Sequence, residues 1–342
     1  MASAPFGLDI GRSFIKVVQV KVMGGKKTLT ALGSLPTPAG GMQTESEAEL
    51  KKVSEAVKQC VKQARAEGNK CNVSMIESQA VTRLVQMPNL TDKELSSAIN
   101  WEADKYIPLP LKEVSLQYKV VSRYPAGSEN GGKMDVLLVA APKRILEKYM
   151  MVVKGAGFLV NAIETESSAI TRSVSSGLES ALVVVSFGSV STEVVVIKQG
   201  SVIFTRSIAT GGEALTKAIM GEFNLQHQQA EEYKHTYGIL ENQLGGKVAN
   251  VIKPVMEVII GEIVKALEFS KTHMQESQLA RIVTCGGGAY LPGISEFITR
   301  RTSLEVSLAD PWESFNKSGL ILKIPGQGGF YSSATGLAIR DL

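Results

Sequence analysis

One pattern occurs twice in this chain, half a chain apart. Residues 6–10 read as a short buried strand, Gly11 as a tight turn, residues 15–20 as the returning strand, and residues 28–34 as a third strand after Gly24 and Gly25. Residues 181–187 open the pattern again, followed by Gly188, residues 193–197, a turn at Gly200 and residues 201–207. Gly11 and Gly188 stand 177 residues apart in a chain of 342. A unit repeated at that spacing points to a duplicated domain. Two unrelated β-meanders would read the same way.

Between the copies the apolar periodicity alternates between helix and strand. Leu50, Val53, Val57, Val61 and Ala64 recur at helical steps, with a stop expected at Gly68-Asn69. Residues 73–76 and 81–87 read as strands. Thr91 and Glu94 form a capping box, with Leu90 and Leu95 at staple spacing, so a helix is expected over 92–106 until Pro108 and Pro110. Strands over 114–121 and 135–141 flank a polar loop at 124–133. Pro142 at the first helical position opens a helix to Gly155, and residues 158–163 return as a strand. After the second meander come helices up to about residue 273, a buried strand over 281–285 running into Gly286-Gly287-Gly288, and a last helix over 332–341.

Composition removes several classes. Lys plus Arg is 37 against 33 for Asp plus Glu, a net charge of +4 and too balanced for an electrostatic nucleic-acid binder. Hydrophobic residues make up 44%, enough for a sizeable core. No apolar run approaches the ~18 residues that cross a bilayer, and the first residues lack a basic stretch before an apolar one. Cys60, Cys71 and Cys285 fit reduced cytosolic thiols, and the three histidines have no zinc-ligand spacing.

The chemistry sits at three glycine turns after three buried strands: Gly11, Gly188 and Gly286 to Gly288. Such turns let backbone N–H groups approach phosphate oxygens without a Cβ in the way. Hydroxyls follow the first two: Ser13, then Ser189, Ser191 and Thr192. Asp9 ends the first strand, where a carboxylate can hold the water shell of Mg²⁺, and Lys16 is near enough in sequence to reach a phosphate. Hairpins need glycine anyway, so each turn alone says little. Three across a duplicated chain favour a nucleotide cleft between two lobes. A P-loop, a G-x-G-x-x-G fingerprint, a G-x-S-x-G elbow and H-E-x-x-H are all absent.

Phe6-Gly7-Leu8-Asp9-Ile10-Gly11-Arg12-Ser13 resembles the first phosphate motif of the actin, DnaK-type chaperone and FtsA superfamily. Gly211-Gly212-Glu213 is similar to the chaperones' glycine pair near the phosphates. Glu231 and Lys234 match the superfamily's ribose-holding E-x-x-K, and Gly286, Gly287 and Gly288 its adenosine motif. Ala98 to Pro108, with its W-E-A-x-x-Y-I-P segment, Ile163 to Ser167, and Ser333 to Ala338 resemble the PilM family of type IV pilus assembly.

The resemblance implies an α/β, actin-like bilobed fold of two duplicated ribonuclease-H-like domains with a 1C-type insertion in the first lobe. Its implied division is a first lobe over 1–87, completed by about 158–180 and 325–342, an insertion over 88–157, and a second lobe over 181–324 with a helical part at about 216–278. It implies ATP or ADP with Mg²⁺ as cofactor, bound by Gly11, Arg12, Ser13, Lys16, Gly188, Ser189, Ser191, Thr192, Gly211, Gly212, Glu213, Glu231, Lys234 and the three glycines, with Asp9 toward the metal. It also implies a partner, the N-terminal tail of a PilN-like inner-membrane protein, bound at the insertion and its junction with the first lobe. That places the chain in the cytoplasm, recruited to the inner-membrane surface.

One position departs from the superfamily. The second phosphate motif usually reads D-I-G, and here it is Ser186-Phe187-Gly188. Removing a positioned acid–base group slows catalysis by ~10²–10⁴-fold, so nucleotide binding is expected with slow hydrolysis or none. Glu166 is the candidate for the remaining catalytic carboxylate and Glu164 the second. Either also fits as a helix N-terminal charge complementing the dipole. At least one of Trp101 and Tyr106 is expected in the core. A small-molecule kinase is disfavoured by Ser186 and the insertion. An FtsA-like division protein is disfavoured because no basic amphipathic tail follows Leu342.

Overall fold

The computed structural model describes residues 4–127, 131–175, 181–273, 279–317 and 319–342. Parts of five readings lie outside them: residues 1–3 of the first stretch, 128–130 of the polar loop, 176–180 of the segment completing the first lobe, 274–278 of the helical part read to about 278, and residue 318 of the second lobe. In chain order the elements are β1 (Phe6–Ile10), β2 (Phe14–Met23), β3 (Lys26–Pro36), α1 (Glu47–Ala64), β4 (Lys70–Met75), β5 (Val81–Pro88), α2 (Asp92–Ala103), β6 (Val114–Arg123), β7 (Lys133–Pro142), α3 (Lys143–Gly155), β8 (Leu159–Thr165) and α4 (Glu166–Val174). Then come β9 (Ala181–Phe187), β10 (Thr192–Lys198), β11 (Ser201–Ile208), α5 (Gly212–Phe223), α6 (His227–Tyr237), α7 (Lys247–His273), β12 (Leu279–Cys285), α8 (Ile294–Thr302), β13 (Val306–Leu308) and α9 (Ser332–Ala338).

The duplication is visible in the topology. One sheet runs β3-β2-β1-β4-β8 and the other β11-β10-β9-β12-β13. In both, the first three strands in chain order pair antiparallel and the last two join parallel. Both glycine turns close with the same hydrogen bond, Gly11 N–H to Phe14 O at 3.0 Å and Gly188 N–H to Ser191 O at 2.9 Å. Two unrelated meanders would not share strand order, strand sense and turn bond together.

Each sheet carries helices on its outer face. Leu50, Val53, Val57 and Val61 of α1 bury against Phe6, Leu8 and Val73. Ile219, Ile252, Met256 and Ile263 of the second lobe's helices bury against Val183, Val185 and Val194. Between the sheets lie α4 and α9. They cross where a Cβ on Gly336 would sit 1.8 Å from Ala169 O, so only glycine permits the approach. Ile170 of α4 then packs on the second sheet, and Ala334 and Ala338 of α9 on the first.

The third sheet, β5-β7-β6, stands beside the first lobe. Its central strand explains the apolar run at 136–140. Val136, Leu138 and Ala140 face α2, while Leu137 joins the cluster around Val184 and Val195 of the second lobe. The capping box of α2 is present: Thr91 N–H donates to Glu94 at 2.8 Å and Glu94 N–H to Thr91 Oγ1 at 3.4 Å.

Packing draws three edges differently from the sequence. β5 pairs with β7 and belongs to the small sheet, although it precedes the edge read at 87/88. α3, read as part of the insertion, buries Ile145, Tyr149, Val152 and Val153 in the first lobe's core. The chain returns to the first lobe by Trp312 and Phe315, before 325, and Trp312 Nε1–H donates to Thr335 Oγ1 at 3.0 Å. Smaller differences are local. α1 stops at Arg65 in the left-handed region, ahead of Gly68. α2 ends at Ala103, Pro142 caps α3 instead of occupying its first turn, and the three-residue β13 gave no sequence signal.

Trp101 and Tyr106 are both exposed, at 83% and 42%, against the expectation that one is core. α2 buries Leu95, Ile99 and Ala103, and Trp101 lies two residues from Ile99, about 200° around the helix. Ile107, next to Tyr106, is buried together with Ile99 and Ala103.

Candidate functional site

A cleft of about 620 Å³ opens between the two large sheets, within the ~300–1,000 Å³ of ordinary ligand sites. The glycine turns of both lobes meet there. Of the residues singled out in the sequence, Asp9, Gly11, Arg12, Ser13, Lys16, Glu166, Gly188, Ser189, Ser191, Gly212, Glu213, Glu231, Lys234 and Gly286 to Gly288 line it. Thr192 and Gly211 do not. Thr192 is buried, its hydroxyl donating to Thr210 O at 2.8 Å, and Gly211 caps α5.

On the first-lobe wall, Asp9 is buried with both carboxylate oxygens engaged. Lys16 Nζ donates to one at 3.1 Å and Ser74 Oγ to the other at 2.8 Å. Lys16 also lies over the Phe330 ring, 4.5 Å from its centre. Arg12 turns to the rim instead, donating to Gly40 O at 3.1 Å and to Gln43. The amides of Gly11 and Gly188 serve their own turns, as above.

Glu166 opens α4 and faces the cleft. Burial, then the charges of Asp9 and Glu193, pushes its carboxyl well above the usual carboxylate range. A charge placed only to complement the helix dipole would shift the other way. Glu164 is held elsewhere, paired with the Arg172 guanidinium at 2.7 and 2.6 Å.

On the far wall, α6 places Glu231 and Lys234 on one face. Lys234 Nζ donates to Glu231 at 2.5 Å, to Thr216 Oγ1 at 2.8 Å and to Gly212 O at 3.3 Å. Although the histidines lack ligand spacing in the chain, folding brings ligand atoms of Glu213, His227 and Glu231 within 4.8 Å of one another. Gly286 has φ of 80°, and a Cβ there would meet Phe187 O at 2.5 Å, which keeps this turn tight against the second sheet.

Glu193 escaped the sequence reading. It lines the cleft, and burial pushes its carboxyl up to about 7 against the pull of the Ser207 and Ser191 hydroxyls. Ser189 Oγ, Glu193 Oε2 and Ser333 Oγ are buried cleft-side atoms with no hydrogen-bond partner among the described residues. Hydroxyls beside the turns and oxygen-only carboxylates opposite them fit a phosphate-bearing ligand with a hard divalent cation. A second hollow, about 370 Å³, lies at the junction of the first lobe and the small sheet, between Met42, Ala80, Val81, Leu109, Ile145 and Lys148.

Residues 7–342 match a family model described as type IV pilus assembly protein PilM. The chain belongs to the PilM family. A solved PilM–PilN type IV pilus biogenesis complex superposes with a TM-score of 0.84 at 26% identity, covering 99% of each chain. The cell division protein FtsA of Enterococcus hirae is 23% identical over 92% of this chain and 79% of its own length. MreB5 of Spiroplasma citri, solved bound to ADP, shares the fold, with a TM-score of 0.55 at 14% identity over 99% of this chain and 96% of its own. The fold is therefore the actin-like bilobed one. Among the described residues no helix is long and apolar enough to cross a membrane.

Proposed function

We propose that this PilM-family chain is an ATP- or ADP-binding scaffold of type IV pilus assembly that holds the N-terminal segment of a PilN-type inner-membrane protein. The observation that carries the nucleotide part is the cleft where two equivalent glycine turns face each other across unpartnered buried polar atoms. Bound nucleotide with Mg²⁺ would supply a polyanion that bridges the lobes. Ser13, Ser189 and Ser191 would take phosphate oxygens, Glu231 and Lys234 the ribose, Gly286 to Gly288 the adenosine, and Asp9 and Glu166 would face the cation's waters. The partner part is supported by the family and by the hollow beside the small sheet, where an extended tail would lie along Val81 and Leu109 with Arg144 and Lys148 beside it. Recruitment to the inner-membrane surface then runs through the partner. In this reading β5 to β7 with α2 form the docking insertion, and residues 181 to about 310 form the second lobe.

Calorimetry with ATP and ADP, with and without Mg²⁺, on the wild type and Asp9→Ala tests it. Binding is expected for both nucleotides, with the Mg²⁺-dependent part lost in the variant. No binding at millimolar nucleotide overturns the cleft reading. Unchanged Mg²⁺ dependence overturns only the role of Asp9. With Ser186 at the usual acid's place, turnover is expected far below the ~10 s⁻¹ of a typical enzyme in a phosphate-release assay.

A further inference from the structure

The two sheets match residue for residue at the cleft, and that correspondence locates an acid the motif had lost. Asp9 on β1 lies directly across from Lys16 on β2. Ser186 on β9 lies directly across from Glu193 on β10. The same 177-residue offset that relates Gly11 to Gly188 carries Asp9 onto Ser186 and Lys16 onto Glu193. All four residues line the cleft. In the first lobe the acid stands on the first strand and its cation on the second. In the second lobe a hydroxyl stands on the first strand and the acid on the second.

The two acids are in different states of satisfaction. Lys16 and Ser74 take both oxygens of Asp9. Glu193 is 3% exposed, and one oxygen accepts from Ser207 Oγ at 2.7 Å. Its Oε2 has no hydrogen-bond partner among the described residues. No ion pair joins Glu193 to a Lys or Arg among the described residues, and Glu166 and Glu77 add like charge nearby. A buried carboxylate with an open oxygen is unfavourable unless it takes up a proton or a cationic group enters.

We infer that Glu193 supplies the second lobe's carboxylate toward the divalent cation that accompanies the nucleotide, replacing from the neighbouring strand the acid missing at Ser186. This rests on the nucleotide reading above and adds a residue to it. Glu193 acts on the cation and its waters, so the nucleotide's own contacts with the chain do not depend on it.

The test is calorimetric titration of ADP into wild type, Glu193→Gln and the double variant Ser186→Asp/Glu193→Gln, each with Mg²⁺ and in EDTA. Mn²⁺ titration of the ADP complexes followed by electron paramagnetic resonance gives a second readout. Glu193→Gln, nearly isosteric, is expected to lose about 10- to 100-fold of the cation-assisted affinity and of Mn²⁺ affinity. ADP affinity in EDTA stays unchanged, and the double variant regains most of the loss. A full cation effect in Glu193→Gln overturns the inference. So does an equal loss with and without cation, which is what a merely structural role produces. Wild type that binds ADP with no cation effect overturns it and leaves nucleotide binding standing. Wild type that binds no ADP overturns both.

Discussion

Ser186 and Glu193 face each other across a strand pair at the register where Asp9 and Lys16 form an ion pair in the other lobe. Duplication has kept the backbone and moved the charge. The first lobe holds a neutralised acid at the cleft, and the second holds an acid with a hydroxyl opposite and, among the described residues, no Lys or Arg paired with it.

The first consequence concerns Ser186→Asp alone. Restoring the superfamily's acid there puts two carboxylates directly opposite on neighbouring strands, with Glu193 almost fully buried. Like charges so placed repel, and desolvation enlarges the effect. Urea denaturation at pH 7.5 is expected to show a loss of about 1–3 kcal/mol, of the size of an unsatisfied buried polar group. Adding Glu193→Gln should recover most of it. A single variant as stable as wild type would mean that the two side chains do not share the buried face.

A second expectation is a pH dependence of stability. Burial raises the Glu193 carboxyl from 4.5 to about 7, so between those values the folded chain keeps a proton that the unfolded chain has released. Stability from this group is therefore full below about 4.5 and falls as the pH rises to about 7, by at most about 3 kcal/mol. Glu166 is shifted in the same direction. Thermal melts of nucleotide-free protein between pH 5 and 8 should fall less steeply for Glu193→Gln than for wild type. Parallel curves would remove the effect from Glu193.

Gly336→Ala tests the close crossing of α4 and α9 between the two large sheets. The new Cβ would stand 1.8 Å from Ala169 O, a backbone atom that no rotamer change can move aside. The crossing of α4 and α9 must open, at a cost of about 1–3 kcal/mol or more. Gly221→Ala, in α5 with open space around its Cβ, is the control and should hold or raise stability. If both variants melt together with wild type, the helices are not held at this distance.

Trp101 separates stability from docking. Its ring is exposed, so Trp101→Ala should change stability by no more than about 0.5 kcal/mol. Titration with a synthetic PilN-type N-terminal peptide should still show binding if the tail sits only in the hollow at Val81, Leu109 and Ile145. Leu109→Ser, at an exposed residue of the hollow, should then weaken binding by about 10-fold or more without unfolding the chain. A loss in Trp101→Ala with Leu109→Ser unaffected would move the site onto α2.

Much of this protein is legible from the chain alone, because the signals are local. Strand and turn order at 6–34 and 181–208, the Thr91/Glu94 box and the shared face of Glu231 and Lys234 follow from periodicity and short-range geometry. The cleft residues were readable because glycine turns and the duplication mark them. Even Glu193 had a signal, since the offset relating the two glycines carries Lys16 onto it.

Tertiary structure decided what depends on partners distant in the chain. β5 reads as a strand anywhere, but only hydrogen bonding to β7 puts it in the small sheet. α3 has one apolar face, and only the position of α1 determined what it covers. Trp101 is as apolar as a core residue, yet the turn of α2 set by Ile99 and Ala103 points it outward. Asp9 and Glu193 are both acids at strand positions. Whether each meets a cation is decided by the residue across the strand and by what packs on that face, which is a property of register and burial and not of composition.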